Sequence, residues 1–521
     1  METKGLVNDE LALQKFQTFR AACLFPIFDL EKTDLIFLFQ NYWKWKRSIN
    51  INFTLVIRNL DGGKIFFKKF TPKESNYISV REILLDLNIN LIDIREGTAE
   101  VSILSNENII FPFPAIWAFY KQINGKISLV HSAGRTLEVD KLQMSSFCET
   151  NFFVNLEDIY DPFIHLFNGP KGKIKNIKLE VWEANNEESK LLTQFNIDEI
   201  TKPYQSKILY LKTYLNQDFF KRFAFVPNSE KKIFVKLIGD CESIYPRFVC
   251  GNVHIEDQIP FVTHSYRDIK TSNDTLKIDD IQKCSTIALP LIDELDLSTF
   301  IYPTTNPEST NIKLKLFDLD NNSIMKESFI LDARSGKGNL FELKSGVNYP
   351  QDKNVGLVAT ADELPSRIHV NLMYKCKKES ECFATDIALD FAPYVSKFKK
   401  NYWGDGLFIN NYKNAVFLSN FKSTLIHNEF SLKSTAKLKF KFFLYLNTFN
   451  EWKMKEFEYQ GESKSNVLFI EELSKDLFGI EVSKKAHHFS WRIELIDGVL
   501  QDVYLISFNK KEGYIYGDHS F

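Results

Sequence analysis

The sequence predicts an all-β protein: four tandem antiparallel β-sandwich-like modules with a short N-terminal helical segment. Three observations support this prediction. Apolar and polar residues alternate in many short segments, Asn, Asp and Gly cluster between those segments, and one strand–turn–strand phrase recurs along the 521 residues. Alternation with period two places successive side chains on opposite faces of a strand, whereas an amphipathic helix requires a period of about 3.6.

The recurring phrase opens with an alternating strand, and the middle residues of its four copies are Leu55, Leu179, Leu314 and Phe440. Each strand runs into a turn and is followed by a returning strand. In the first copy the turn is Asp61-Gly62-Gly63, where glycine supplies the positive φ that a tight hairpin requires. Because the phrase recurs at these four positions, the sequence predicts four modules of ordinary domain size, at residues 35–149, 150–285, 286–400 and 401–521.

Helical structure is expected only in short stretches. A helix over Asn8–Cys23 is predicted within the segment 1–34, because Asn8 or Asp9 can cap it and it must end before Pro26. Single helical turns or loops are predicted at three further places: Val80–Leu87, Ile197–Ile200 and Ile470–Leu477.

A histidine followed by a serine recurs near the end of three modules, at His131, His264 and His519. We expect this phrase to form the last strand of a module. The matching stretch of the third module, near Asp386–Asp390, has no histidine. Three near-equivalent copies favour a framework role, since repetition copies a scaffold residue into every module whereas an active site requires one asymmetric cluster.

An enzyme remains the alternative interpretation of these histidines. In a carbohydrate- or polymer-modifying enzyme, His131, His264 or His519 would act as a general base beside Asp268 or Asp518, or as a metal ligand if the three histidines converged. No nucleophile elbow, dinucleotide fingerprint or metalloprotease helix accompanies them, so the sequence favours a non-catalytic protein over an enzyme.

Two aromatic clusters supply the candidate ligand-binding residues. Tyr42, Trp43 and Trp45 lie among lysines and an arginine, and Tyr402 and Trp403 open the fourth module. Aromatic faces stack on sugar rings, and neighbouring cations can bind carboxylates or phosphates. The alternative is that Trp43 and Trp403 fill equivalent corners of the sandwich cores.

Composition excludes several classes of partner. Hydrophobic residues make up 44% and charged residues 25% of the chain, and 65 basic against 67 acidic residues give a net charge of −2. This balance does not predict nucleic-acid binding. No apolar run reaches the roughly 18–20 residues that cross a bilayer, so no membrane insertion is expected. The acidic start does not resemble a signal peptide, which predicts a cytoplasmic protein and leaves export by a non-classical route open.

Metal and cofactor sites are not predicted. The close cysteine pairs, Cys241/Cys250 and Cys376/Cys382, lack the spacing of a zinc knuckle or a redox dithiol, so reduced buried thiols are favoured over two cross-strand disulfides. Ser335–Gly338 and Asp318–Asn322 each lack residues that a phosphate loop or a calcium loop requires.

The function that these patterns favour is recognition or scaffolding without catalysis. A glycan or a protein partner would bind through the Trp/Tyr clusters and the module junctions. Besides the enzyme, a third alternative is a structural assembly subunit, which would expose a hydrophobic patch or unpaired edge strands. The patterns do not define the ligand or the oligomeric state.

Overall fold

A computed structural model describes the chain with interruptions. The described residues are 18–109, 114–131, 134–136, 145–151, 159–184, 189–216, 218–219, 232–242, 244–256, 258–267, 275–276, 284–289, 295–302, 310–318, 323–333, 355–360, 364–365, 369–376, 385–390, 392–393, 401–419, 423–426, 429–432, 436–446, 451–461, 466–482, 486–498, 500, 502–509 and 515–521. Two compact units divide the chain: Leu6–Ile269, the N-terminal unit, and Lys270–Phe521 with Met1–Gly5, the C-terminal unit.

The first half of the N-terminal unit consists of short strands and helical turns: β1 (Arg20–Phe28), β2 (Thr33–Gln40), α1 (Tyr42–Arg47), β3 (Asn52–Arg58), β4 (Lys64–Phe70), β5 (Ser75–Ser79), α2 (Val80–Asp86), a 3-10 turn (Leu91–Asp93), β6 (Glu96–Leu104), β7 (Trp117–Gln122), β8 (Ile127–His131) and β9 (Arg135–Thr136). The second half contains ten strands and one helical turn among its described residues, namely β10 (Ser145–Asn151), β11 (Tyr160–Phe167), β12 (Lys175–Ala184), β13 (Ser189–Asn196), β14 (Ser206–Tyr210), α3 (Leu211–Tyr214), β15 (Lys232–Cys241), β16 (Ile244–Tyr245), β17 (Val249–His254), β18 (Ile259–His264) and β19 (Tyr266–Arg267).

These strands form two pairs of sheets with a repeated strand order. Sheet A has the order β16-β9-β1-β6-β3-β4, and sheet B has the order β5-β2-β7-β8. In the second half, sheet C has the order β13-β12-β15-β10-β19, and sheet D has the order β14-β11-β17-β18. The two larger sheets correspond when one is read in reverse: β4, β3, β6, β1 and β9 of sheet A match β13, β12, β15, β10 and β19 of sheet C, and β16 has no counterpart among the described strands. Sheet D has the same order as sheet B, with β14, β11, β17 and β18 in the places of β5, β2, β7 and β8. Each pair shown in these sheets is antiparallel.

The two sheets of each pair pack face to face. Phe25 of β1 meets Phe37 of β2 with ring centroids 5.3 Å apart, and Phe39 of β2 meets Phe53 of β3 at 5.0 Å. Sheets C and D share one buried cluster, to which Leu166 of β11 belongs. Alternating inward side chains from both sheets therefore form each core, which is how a β-sandwich buries apolar surface.

The C-terminal unit contains the remaining elements: β20 (Thr275–Leu276), β21 (Cys284–Leu289), β22 (Leu295–Tyr302), β23 (Thr310–Asp318), β24 (Ser323–Ala333), β25 (Val355–Thr360), β26 (Leu364–Pro365), β27 (His369–Cys376), β28 (Thr385–Asp390), β29 (Ala392–Pro393), β30 (Asn401–Leu407), β31 (Tyr412–Ser419), β32 (Ser423–Ile426), β33 (Glu429–Leu432), β34 (Ala436–Leu446), β35 (Glu451–Gly461), β36 (Asn466–Phe469), α4 (Ile470–Phe478), β37 (Ala486–Gly498), β38 (Asp502–Asn509) and β39 (Ile515–His519).

Four larger sheets organise this unit, beside the two-stranded pairs β20-β26 and β32-β33. Sheet E has the order β24-β23-β25-β21-β29, sheet F β22-β27-β28, sheet G β30-β37-β34-β35, and sheet H β36-β31-β38-β39. Sheets E and G follow the order of sheet A, and sheets F and H follow the order of sheet B. Within the described part of the unit, sheet E lacks only the counterpart of β16, sheet G also lacks that of β9, and sheet F lacks that of β5. In sheet G, Phe521 replaces the missing partner of the first strand, since its N–H donates to the carbonyl of Trp403 at 3.0 Å.

The all-β prediction is confirmed, whereas the predicted N-terminal helix is wrong where the structure describes it. Arg20–Cys23 begin β1, which pairs with β6 from Arg20 onward, and Pro26 lies inside this strand; residues 8–17 lie outside the described residues. Residues 21–25 are buried without alternation because β1 lies inside sheet A. A short strand covered on both faces has the same continuous apolar pattern as a buried helix.

Several other predictions concern element positions. Helices α2 and α4 confirm the helical turns predicted at Val80–Leu87 and Ile470–Leu477, and Ile200 instead forms a bridge to Ile174. Strand β10 crosses the boundary predicted at residue 149, and β21 crosses the one at residue 285.

Within the described ranges, the helices are too short to cross a lipid bilayer.

Candidate functional site

The histidines of the His-Ser phrase occupy the same register position in three sheets. They end strands β8, β18 and β39, which are the outermost strands of sheets B, D and H. Their partners on the neighbouring strand are Trp117, Val249 and Tyr504. One strand further in, the row continues to Leu38, His165 and Phe417. The histidine therefore ends the outermost strand of each of these sheets. In the first two copies a short strand still follows, β9 or β19, so the phrase does not form the last strand there.

His264 has both ring nitrogens engaged in hydrogen bonds. Its Nε2 lies 2.6 Å from Nη2 of Arg247, and its Nδ1 lies 3.1 Å from the carbonyl oxygen of Ser265. A guanidinium can only donate, so Nε2 accepts and Nδ1–H donates to the carbonyl. The imidazole is thereby held as the neutral Nδ1–H tautomer, and the lone pair of Nε2 points at a cation. A metal ion would have to displace Arg247 to bind this nitrogen.

Ser265 links sheet D to sheet C. Its hydroxyl donates to Oε2 of Glu149 at 2.5 Å and accepts from the N–H of Phe248 at 2.8 Å. Glu149 lies on β10 with 1% of its surface exposed. The buried carboxylate is thus bonded to the serine of the phrase, in an arrangement that closes the end of the sandwich.

His131 meets His264 inside the N-terminal unit. Their ring centroids are 5.0 Å apart with the rings nearly perpendicular, and only 3% and 2% of the two residues are exposed. Strands β8 and β18 run beside each other here, and the Ser128 hydroxyl donates to the carbonyl of Pro260. The two halves of the unit therefore meet where their His-Ser strands end.

The third copy of the phrase repeats the local geometry of the second. Nδ1 of His519 lies 3.0 Å from the carbonyl oxygen of Ser520, as Nδ1 of His264 does from that of Ser265. Oδ1 of Asp518 accepts the backbone N–H of His519 at 2.8 Å. Asp268, the other acid of the catalytic hypothesis, lies outside the described residues.

The predicted ligand-binding aromatics lie mostly inside the protein. Tyr42 and Trp43 stand on α1 with ring centroids 4.0 Å apart, and 5% and 0% of the two residues are exposed. Burial raises the pKa of the Tyr42 phenol. Tyr402 and Trp403 on β30 are 1% and 6% exposed, while Trp45 is half-buried. Four of the five rings could stack on a ligand only after a rearrangement, and their binding role stays a prediction.

A contact between an inner strand and the start of a helix recurs at equivalent positions and was not predicted from the sequence. Asp34 on β2 accepts from the hydroxyl of Ser79 at 2.6 Å and from the N–H of Arg81 at 3.1 Å, at the start of α2. Asp161 on β11 accepts from the N–H of Lys212 at 3.2 Å, at the start of α3. Burial raises the pKa of both carboxyl groups, against the lowering effect of these hydrogen bonds.

Sheet H carries the same contact with the charges reversed. Lys413 occupies the position of the two aspartates on β31 and lies 3.5 Å from Glu472 in the first turn of α4. Beside it, Glu471 accepts from the N–H of Asn414 at 3.1 Å, and burial raises the pKa of this carboxyl group. The partners are far apart in the sequence, so no local motif could have indicated them.

A half-exposed aromatic cluster on sheet G was also missed. Tyr445 stacks on His488 with centroids 4.8 Å apart, and Trp452 lies 5.1 Å from each of them. Tyr445 and Trp452 are half-buried, whereas His488 is buried. These residues belong to neighbouring strands of the outer face of the sheet, so their proximity follows from the register of β34 with β35 and β37.

Comparison with known proteins does not assign a family. No protein-family model and no curated protein matches the chain. Among solved structures, the BSP domain of a biofilm associated protein is 7% identical, with 100% of this chain and 98% of that chain covered and a TM-score of 0.17. A mutant of Salmonella alpha-2-macroglobulin is 9% identical, with 97% of this chain and 29% of that chain covered and a TM-score of 0.09. Scores this low carry no argument about fold or function.

Proposed function

We propose that the chain is a non-catalytic recognition or scaffolding protein of four tandem β-sandwich modules, with a protein as its partner. One observation carries this proposal: the histidines that resemble catalytic residues occupy one register position in three sheets, and His264 and His519 lie within hydrogen-bond distance of the following backbone carbonyl. His131 and His264 lie in contact, so the proposal depends on the hydrogen bonds that occupy the ring of His264 and not on a separation of the copies.

The strand orders support four modules. Each module would combine one sheet of the type of sheet A with one of the type of sheet B. The recurring contact between an inner strand and the start of α2, α3 or α4 adds a second correspondence. It involves Asp34, Asp161 and Lys413, whose side chains all reach the first turn of one of these helices.

The engaged imidazole of His264 supports a role without catalysis. A general base must present a free lone pair to the substrate proton. Nε2 of His264 already accepts from Arg247, and Nδ1–H is committed to a backbone carbonyl. Replacing this histidine should therefore change the stability of the sandwich end and not a turnover rate.

The test compares the natural protein with His264→Gln and His131→Gln. Each is assayed for hydrolysis of a panel of polysaccharides and polyesters and for thermal unfolding. We expect no turnover in any of the three proteins and a lower unfolding temperature in both variants. The proposal would be overturned if the natural protein showed turnover and the His264→Gln variant lost it while keeping a native circular dichroism spectrum.

The modular organisation has a separate test. Residues 401–521 contain sheets G and H completely, so they should fold alone if they form a module. We expect this fragment to unfold cooperatively and to keep the dispersed NMR spectrum of a β-protein. A fragment that remains unfolded in native buffer would contradict four independent modules.

Glycan binding is the second candidate function, and the Tyr445–Trp452–His488 cluster is the observation that favours it. Half-exposed aromatic rings can stack on a sugar. A glycan array should then show binding that Trp452→Ala abolishes. Trp182→Ala is the matched control, because Trp182 is also a half-buried tryptophan on a strand. Equal loss in both variants, or no binding at all, would exclude this candidate.

A further inference from the structure

Strand β4 is an exposed sheet edge. It is the last strand of sheet A, and none of its seven residues is buried. Phe67 is 54% exposed and Ile65 is 39% exposed. An edge strand presents unpaired backbone N–H and C=O groups, which can hydrogen-bond to another extended segment. This strand therefore offers both the backbone groups and the apolar side chains that strand addition requires.

The charge of β4 is of one sign. Lys64, Lys68 and Lys69 are exposed, and the strand has no acidic residue. Across the described part of the chain, none of the three lysines lies within ion-pair distance of a carboxylate. Lys64 and Lys68 instead lie near aromatic rings, 5.7 Å from that of Phe67 and 5.2 Å from that of Phe70. The positive charge at this edge is therefore not neutralised within the described residues.

The equivalent edge strand of sheet G is different. On β35 acidic residues neutralise the lysines of the adjacent strand: Glu456 lies 2.7 Å from Lys439 and 3.0 Å from Lys441, and Glu458 lies 2.9 Å from Lys437. On β13, the equivalent edge of sheet C, Lys190 is the only charged residue. The edges share a position in the strand order and differ in charge, so the basic character of β4 is not required by the fold.

Like charges on β4 also select against one kind of partner. A second copy of β4 would place lysines opposite lysines, which destabilises a strand pair. An acidic strand would place carboxylates opposite those lysines and gain attraction. The same residues therefore oppose self-pairing and favour an acidic partner, the combination that gives an interface its specificity.

We infer that β4 is a docking site for an extended acidic segment of a partner protein, which adds to sheet A as a further strand. This inference rests on the proposed recognition function and specifies its partner. Backbone hydrogen bonds from β4 would supply affinity, and the exposed Phe67 and Ile65 would contact the apolar side chains of the incoming strand. The three lysines would select acidic segments.

The test uses the full chain and a fluorescein-labelled peptide that alternates glutamate with valine over the length of β4. Fluorescence anisotropy measures its affinity, and hydrogen exchange locates the amides that it protects. We expect binding that weakens with salt, protection confined to β4, and no comparable binding of a lysine–valine peptide. The double variant Lys68→Glu with Lys69→Glu should weaken binding at least about tenfold.

The matched control is Lys453→Glu with Lys455→Glu on β35, which applies the same charge reversal to the equivalent edge and should leave the affinity unchanged. Equal binding of the acidic and basic peptides by the natural protein would overturn the inference without any variant. So would protection elsewhere than β4, or sedimentation showing that β4 pairs with a second copy. Failure of the proposed function would instead appear as His264-dependent turnover, which the peptide assay does not measure.

Discussion

Glu100 is the most instructive residue to change, because it is a buried carboxylate between two arginines. It lies on the outer face of sheet A with no side-chain exposure and accepts hydrogen bonds from Nη2 of Arg20 and, at 3.1 Å, from Nη2 of Arg58. The side chains of these arginines are 18% and 13% exposed, and the guanidinium of Arg58 lies 3.9 Å above the ring of Tyr204. The charge cluster therefore joins β1, β3 and β6 to the loop before β14.

The expected cost of Glu100→Gln follows from this burial. The substitution keeps the shape of the side chain and removes its charge, so two guanidinium groups remain close together in a poorly solvated place. Breaking a buried ion pair in this way costs about 3–5 kcal/mol, because the remaining charges lose their partner and cannot recover full hydration. A loss of about 3 kcal/mol would raise the amide exchange of β1, β3 and β6 roughly a hundredfold.

Hydrogen exchange with mass spectrometry measures this change strand by strand. The matched control is Glu456→Gln on β35: this glutamate also contacts two lysines, but its side chain is 36% exposed. Exchange in β34 and β35 should change little, since exposed ion pairs contribute little to stability. If Glu100→Gln raises the exchange rate of the amides in β1, β3 and β6 by less than about fivefold, the buried ion pairs of Glu100 do not make the large contribution to stability that is argued from their burial.

Three further predictions concern other buried groups and one turn. Burial lowers the pKa of His165 to about 3, and the described residues offer its ring no hydrogen-bond partner. The unfolded chain therefore takes up a proton below pH 6.5 that the folded chain does not, and stability falls towards pH 3 by up to about 1.4 kcal/mol per unit. His165→Leu, which copies Leu38 of sheet B, should remove this slope in unfolding experiments between pH 7 and 5, and an unchanged slope would contradict it. Asp34→Ala should remove the acceptor of the Ser79 hydroxyl and the Arg81 N–H at the start of α2 at a cost of about 1–2 kcal/mol, detected as faster exchange of Val80–Asp86, and unaltered exchange there would show that these hydrogen bonds contribute nothing. Gly62→Ala should cost about 1–3 kcal/mol in thermal unfolding, because φ is +86° and the new Cβ would lie 2.3 Å from the carbonyl oxygen of Pro203; a variant of natural stability would disprove the close approach.

The strands could be predicted from the sequence because their signal is local. Leu55, Leu179 and Phe440 lie in strands β3, β12 and β34 with no surface exposed, as their alternating surroundings indicate. The same reasoning failed at Arg20–Cys23, where a strand inside a sheet is covered on both faces and loses its alternation. For Trp43 and Trp403 the sequence left a ligand surface and a core corner open, and the structure buries both rings.

The sequence alone therefore determined the secondary-structure class and the recurrence of the strand and histidine phrases, since both depend on neighbours along the chain. Only the tertiary structure decided what those elements face. Strands β4 and β34 are both rich in lysine and phenylalanine, yet β4 is an exposed edge and the phenylalanines Phe440 and Phe442 of β34 are fully buried. The difference arises from strand order, which brings together residues far apart in the chain, and local periodicity carries no information about such contacts.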